Sequence, residues 1–137
     1  MSSWDSKFIE MLTEVSRLTE GFGSARVAAA IAERGKLIAL GVNRKKSHPM
    51  ALRFSKNNQA IYSHAELDAI VGALKKVEPD GLRRATLYVV RTKIIRGQDV
   101  LGEARPCAGC IRAIEAFQIK RVVYTGDDQA LHEIKRT

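Results

Sequence analysis

Apolar residues Phe8, Met11, Leu12, Val15 and Leu18 recur at spacings of three and four, which predicts an amphipathic helix over residues 5–19. Gly21 and Gly23 mark its end. Two apolar runs, 26–32 and 36–42, flank Glu33, Arg34 and Gly35 and predict a β-hairpin. Residues 43–61 are polar and basic, contain Pro49 and read as a long loop, a kind of segment that commonly serves function.

The second half alternates between periods. Ser63 followed by Glu66 matches a helix-capping box, and Leu67, Ile70, Val71, Leu74 and Val77 form an apolar stripe. Pro79 and Gly81 stop that helix. Residues 85–90 read as a buried strand. Residues 91–105 read as an irregular connection around Gly97 and Gly102, with extended backbone at 93–96. Pro106 suits the start of a helix whose Ile111, Ile114 and Phe117 share one face. A short strand over 120–125 and a last helix over 128–135 complete the order α-β-β-α-β-α-β-α. Strands separated by helices require crossover connections, so the predicted fold class is a layered α/β sandwich. No repeat, linker or low-complexity run divides the chain, and residues 1–137 read as a single domain.

Composition narrows the class. An apolar fraction of 45% excludes a disordered chain. No stretch approaches the roughly 18 consecutive apolar residues of a membrane span, and residues 1–20 lack the apolar core of a signal peptide. The expectation is a soluble, cytoplasmic protein without a membrane partner. Lys and Arg number 23 against 15 Asp and Glu, a net charge of +8 that favours phosphorylated or polyanionic partners. The 2 cysteines are separated only by Ala108 and Gly109. That spacing suits a ligand pair or a redox pair, not a disulfide framework.

Three pieces carry candidate chemistry: His64-Ala65-Glu66 opening one helix, Pro106-Cys107-Ala108-Gly109-Cys110 opening another, and the strand between them. A crossover sets the two helix N-termini at one sheet edge, where one imidazole and two thiolates can converge. Cys107 and Cys110 lie about one turn apart, and a helix N-terminus favours the thiolate. Three protein ligands leave a fourth tetrahedral position, the arrangement of a catalytic zinc site. Glu66 sits two positions past the His, within reach of that position. Each fragment has a plainer reading. Ser63-x-x-Glu66 alone is a helix cap, and a Glu66 spent on capping cannot act on water. Cys-x-x-Cys alone is a redox pair, although a thioredoxin-like fold expects a later proline and none follows Pro106. A structural zinc site would need a fourth ligand from His48, His132 or a carboxylate.

Together the motifs H-x-E and P-C-x-x-C resemble the cytidine and deoxycytidylate deaminase superfamily over most of the chain. Residues 119–124 resemble the strand after the cysteine helix in the deoxycytidylate and transfer-RNA adenosine branches. Gly41-Val42-Asn43-Arg44 resembles the end of their second strand. The resemblance implies a three-layer α/β/α sandwich with a mixed central sheet. It implies Zn2+ held by His64, Cys107 and Cys110, and a catalytic Glu66 that moves protons during hydrolysis of an exocyclic amine. Asn43 would hold the sugar, the backbone at Ala65 the ring carbonyl, and Pro106 the turn before Cys107. It also implies a homo-oligomer. About a dozen residues, 92–103, depart from the family pattern, in which the third strand runs almost directly into Pro-Cys.

The basic loop residues Arg44, Lys45, Lys46, Arg53 and Lys56, with Arg91, Lys93 and Arg96, are expected to flank the pocket mouth as phosphate contacts. The favoured partner is a free nucleotide such as dCMP. The alternatives are a base within single-stranded DNA or RNA, or a non-catalytic zinc protein that binds nucleic acid. A single-strand platform needs aromatic side chains. The first loop offers only Phe54 and Tyr62 and the second none, which ranks the mononucleotide first. His48 lies beside Pro49 in the first loop, His132 falls on the last predicted helix, and Trp4 is expected to pack.

Overall fold

A computed structural model describes residues 2–19, 26–43 and 64–136. Helix α1 (Ser3–Leu18) starts with a capping box: Ser2 Oγ accepts the Asp5 amide at 3.2 Å, and the Asp5 carboxylate accepts the Ser2 amide at 3.1 Å. The hairpin of β1 (Arg26–Glu33) and β2 (Lys36–Val42) follows. Its turn needs Arg34 and Gly35 at φ 50 and 79, and the Trp4 ring lies against Gly35, as packing predicted. Helix α2 (Ala65–Leu74) and a short 3-10 turn (Pro79–Arg84) lead into β3 (Thr86–Ile95) and β4 (Gln98–Gly102). Helix α3 (Ala108–Ala116), β5 (Arg121–Thr125) and β6 (Leu131–Lys135) complete the described chain.

The 6-stranded sheet runs β2-β1-β3-β5-β6, with β4 paired to β3. Strand β1 is antiparallel to both β2 and β3, and β3 is parallel to β5. Hence β2, β3 and β5 point the same way. Helix α2 is the next described element after the carboxyl end of β2, and β4 runs back along β3 only as far as Arg91 before the chain turns to α3, so both helices begin at the carboxyl edge of the sheet. This is where open α/β sheets place their ligands. Strand alternation builds two cores. Ala28, Ala30, Tyr88 and Val90 meet Phe8 and Leu12 of α1. Ala29, Ile31, Leu87 and Val89 meet α2 through Ala69 and Ile70, and α3 through Cys110 and Ala113. The result is the expected three-layer sandwich with a mixed sheet. Among the described residues no helix is long and apolar enough to cross a membrane.

Three expectations are corrected. The segment read as a last helix over 128–135 is a turn followed by β6, antiparallel to β5. Asp128 accepts the Ala130 amide at 3.1 Å and Gln129 takes φ 63, so the chain reverses instead of coiling. The i, i+4 pair Asp128 and His132 does form, at 3.0 Å, but across this turn, and His132 stacks on Tyr124. The connection 91–105 is not irregular over most of its length. Strand β3 continues to Ile95, Arg96 and Gly97 make a tight turn at φ 52 and 80, and β4 returns. The start of the second motif helix is one residue later than the capping-box reading placed it: His64 is the N-cap of α2, so Glu66 stands at the second helical position, not the third. Ser63 itself lies outside the described residues.

Asp5 joins the layers. Its buried carboxylate accepts hydrogen bonds from Arg121 at 2.8 and 2.6 Å and from the Tyr88 hydroxyl at 2.6 Å. The Arg121 hydrogen bond, against the opposing effect of burial, holds the Asp5 carboxyl well below the usual carboxylate range. The folded-state pKa is thus depressed, and the stability it contributes is present above the unfolded value near 3.9 and lost as pH falls below it. Asp5→Asn is expected to lower stability at pH 7 by on the order of 3 kcal/mol, because it removes the buried carboxylate that pairs with Arg121 and leaves Glu133 to that guanidinium. Urea unfolding at pH 7 and pH 3 should show the variant losing less stability on acidification than the wild type. An equal loss in both proteins would mean that Asp5 is not the group responsible.

Candidate metal centre and the surrounding cleft

His64 is the N-cap of α2 in an extended conformation, and its side chain makes no capping hydrogen bond. Cys107 is the N-cap of α3 in the same extended form, and Cys110 lies in the first turn. The His64 Nδ1 atom is 3.3 Å from Cys110 Sγ and 3.4 Å from Cys107 Sγ, and the three ligand atoms all lie within 4.8 Å of one another. Zinc bonds of about 2.0 Å to nitrogen and 2.3 Å to sulfur put tetrahedral ligand edges at roughly 3.5–3.8 Å. The observed separations fit that donor set closely, and three protein donors leave one position for a further ligand. The imidazole and thiol chemistry also fits zinc better than it fits a hard cation.

Electrostatics agree with a metal centre. The Cys107 thiol is pushed down to about 3, first by its hydrogen bond with Cys110 and then by His64. Cys110 is driven the other way by the Cys107 sulfur and by burial. The pair therefore shares one proton, and a cation would displace it, since the thiolate is the ligating form. Cys107 is exposed and Cys110 buried, so the cluster opens to solvent on one side only.

Glu66 points into this same neighbourhood. It is 6% exposed, and burial raises its pKa above the usual carboxylate value. His64 is among the charges that lower it, and the Cys110 thiol is among its hydrogen-bond partners. Ala65 is buried at the first position of α2, where a backbone N–H has no intrahelical partner. Pro106 is buried directly before Cys107.

Asn43 closes β2 onto β1. Its amide donates to Val27 O at 3.3 Å, and its Oδ1 accepts the Val27 amide at 3.0 Å. The next amide, Val42 N–H, points the other way and donates to Asp68 Oδ2 at 3.0 Å. Asp68 was not singled out by the sequence reading. The signal was there: it stands four residues after His64, on the first turn of the same helix.

The candidate phosphate contacts divide. Arg44, Lys45, Lys46, Arg53 and Lys56, with His48, Phe54 and Tyr62, lie outside the described residues. Lys93 is paired with Asp127 at 2.7 Å, and Arg96 forms the tight turn of the β3–β4 hairpin. Arg91 lies against Gly102, with its Nε buried and without a hydrogen-bond partner. The hairpin is fastened at its base. Thr125 Oγ1 accepts the Arg91 amide at 3.2 Å and donates to Gly102 O at 2.9 Å, and Thr125 O accepts the Ala104 amide at 2.8 Å. Asp99 on β4 also pairs with Arg17 at 2.9 Å and Arg26 at 2.6 Å. The extra residues thus form a tethered hairpin, and the chain beyond it delivers Pro106 and Cys107.

Comparison with known proteins points one way. A sequence profile described as the cytidine and deoxycytidylate deaminase zinc-binding region matches residues 2–126. Among solved structures, the apo dCMP deaminase of cyanophage S-TIM5 is similar at a TM-score of 0.62 and 21% identity, covering 92% of this chain and 86% of that one. A diaminohydroxyphosphoribosylaminopyrimidine deaminase/5-amino-6-(5-phosphoribosylamino)uracil reductase from Thermotoga maritima gives 0.56 at 28% identity, covering 90% of this chain and 30% of that one. A tRNA:A34 deaminase gives 0.57 at 22% identity, over 88% and 75%. The search of curated proteins returned no match.

Proposed function

We propose, from the premise that the chain belongs to the cytidine and deoxycytidylate deaminase zinc-binding family, that this zinc-dependent deaminase acts on the cytosine of a free nucleotide such as dCMP. The observation that carries the choice of substrate is the likeness to the cyanophage dCMP deaminase along nearly the whole of both chains. That enzyme is also described in complex with dCMP and dUMP. The state of the basic residues supports a small substrate. Lys93, Arg17 and Arg26 are engaged with carboxylates, which leaves fewer cations of the hairpin and its surroundings for the successive phosphates of a strand. Recognition of a strand would need several cations on successive phosphates.

His64, Cys107 and Cys110 would hold the zinc, and Glu66 would be the general acid–base group. Bound zinc supplies Lewis acidity that makes water nucleophilic near neutral pH. Glu66 then accepts the proton of the attacking water on a carboxylate oxygen and delivers it to the ring nitrogen next to the reacting carbon. The same oxygen then takes the second proton of that water and passes it to the exocyclic nitrogen, whose bond to the carbon breaks as ammonia leaves and the water oxygen becomes the ring carbonyl. Burial of Glu66 suits this double duty, because a raised pKa narrows the gap between taking a proton and giving it up. The amide at Ala65 donates to the ring carbonyl, Asn43 holds the sugar, and Pro106 shapes the turn that presents Cys107. Arg44, Lys45 and Lys46 follow Asn43 directly and supply cations for the phosphate.

A second reading, deamination within single-stranded RNA or DNA, is favoured by the net charge of +8 and the likeness to a tRNA deaminase. Ammonia release should be measured on dCMP, CMP, cytidine and cytosine-bearing or adenine-bearing oligonucleotides at two salt concentrations. We expect turnover of dCMP that falls only modestly with salt. Turnover of an oligonucleotide with none of dCMP or CMP, declining steeply with salt, would replace the first reading by the second.

A further inference from the structure

We infer that Asp68 is a positioning residue that sets the distance between the metal-ligand helix and the substrate asparagine, an assignment that rests on the proposed role of Asn43. Asp68 touches both sides of the cleft. Its backbone amide donates the first hydrogen bond of α2, to the carbonyl of His64 at 3.0 Å. Its Oδ2 accepts the Val42 amide at 3.0 Å. Thus one residue connects the carbonyl of a metal ligand to the peptide that precedes Asn43.

The alternation of β2 explains why a side chain is needed there. Asn43 N–H faces β1 and is paired with Val27, so Val42 N–H faces outward, where no strand of the described sheet lies. Asp68 fills that place from α2. A second tie runs the same way farther down, where Lys76 Nζ donates to Ile38 O at 3.0 Å. The first turn of α2 and the segment just after its end are therefore both tied to the backbone of β2.

Gly41 allows the close approach that makes the tie short. A Cβ at Gly41 would run into Ala65 O and Ala69 N, and would stand 3.0 Å from Ala69 Cα. The missing side chain lets β2 press against the first turn of α2, the turn that carries Ala65 and Glu66. Contact fixes how close the two elements come, and the Asp68 carboxylate fixes how far β2 slides along the helix. Asn43 itself is locked to β1 through its Oδ1, so its placement follows the placement of the β1–β2 edge against α2.

A double-mutant cycle tests this. Asp68→Ala, Asp68→Asn, Asn43→Ala and Asp68→Ala/Asn43→Ala are compared for zinc content, for kcat and KM with dCMP, and for the Kd of dUMP by calorimetry. Asp68→Ala should raise KM and the dUMP Kd by about tenfold while zinc content stays at the wild-type level. Asp68→Asn keeps a carbonyl oxygen for the Val42 amide and should recover most of that loss. In the Asn43→Ala background, Asp68→Ala should add little. Equal losses in both backgrounds, or loss of zinc with KM unchanged, would overturn the assignment and leave the substrate reading standing. Failure of the wild type to bind dUMP or turn over dCMP would overturn the substrate reading, and this assignment with it.

Discussion

Replacing Cys107 or Cys110 with alanine is expected to yield protein that carries far less zinc than the wild type and shows no measurable deamination. The reason is the small donor set. Removing a group that only orients a ligand already costs about 10–100-fold in metal affinity, and removing one of three ligands costs more. The two variants also separate metal loss from folding. Cys110 is buried in the core shared by α2, α3 and the sheet, so its truncation removes packing as well as a ligand. Cys107 is exposed, and its truncation should leave the fold nearly as stable as the metal-free wild type. Elemental analysis of protein purified without chelator should find about one zinc per wild-type chain. Wild-type protein that deaminates its substrate at full rate without zinc would remove the metal from the reaction. Cys107→Ala protein with full zinc would remove that residue from the ligand set.

The sequence showed this centre because its chemistry is local. His64, Glu66, Cys107 and Cys110 sit in two short motifs, each at a helix start, and the crossover rule brings such starts together. The hairpin of β1 and β2 was legible for a similar reason: two apolar runs enclose Arg34-Gly35, a pair suited to positive φ. What escaped was set by distant partners. Residues 128–135 carry few β-branched side chains, and the spacing of Asp128 and His132 suits a helix, but pairing with β5 makes them a strand. In β3, polar Arg91, Thr92 and Lys93 interrupt the apolar run. They obscure a strand whose later part pairs with β4 and is held by Thr125 and Asp127, while Asp99 of β4 pairs with the distant Arg17 and Arg26. Asp68 carried a positional signal, four residues after His64, but its partner is a backbone amide on β2 that only the fold brings to it.

Glu66→Gln is expected to keep the fold and the zinc and to lose about 10²–10⁴-fold in kcat, the range for a general acid–base group. The choice of glutamine matters. It has the shape of glutamate and can still hydrogen-bond, so it preserves whatever Glu66 does for the first turn of α2. It cannot take up and release a proton near neutral pH. The structure already weakens the capping explanation, because the N-cap of α2 is His64 and Glu66 stands at the second helical position, not the third that a capping box uses. Removing the carboxylate should also not harm stability through charge, since burial disfavours its ionised form. Thermal unfolding therefore compares Glu66→Gln directly with wild type and should show equal or higher stability for the variant. Glu66→Ala should lose as much turnover, and in addition some stability from the space left at a site only 6% exposed. The decisive measurement is single-turnover deamination of dCMP by zinc-loaded protein. A Glu66→Gln rate within about threefold of wild type, far short of the loss expected of a proton-transfer group, would show that the carboxylate takes no part in proton transfer, and the proposed chemistry would have to pass to another residue.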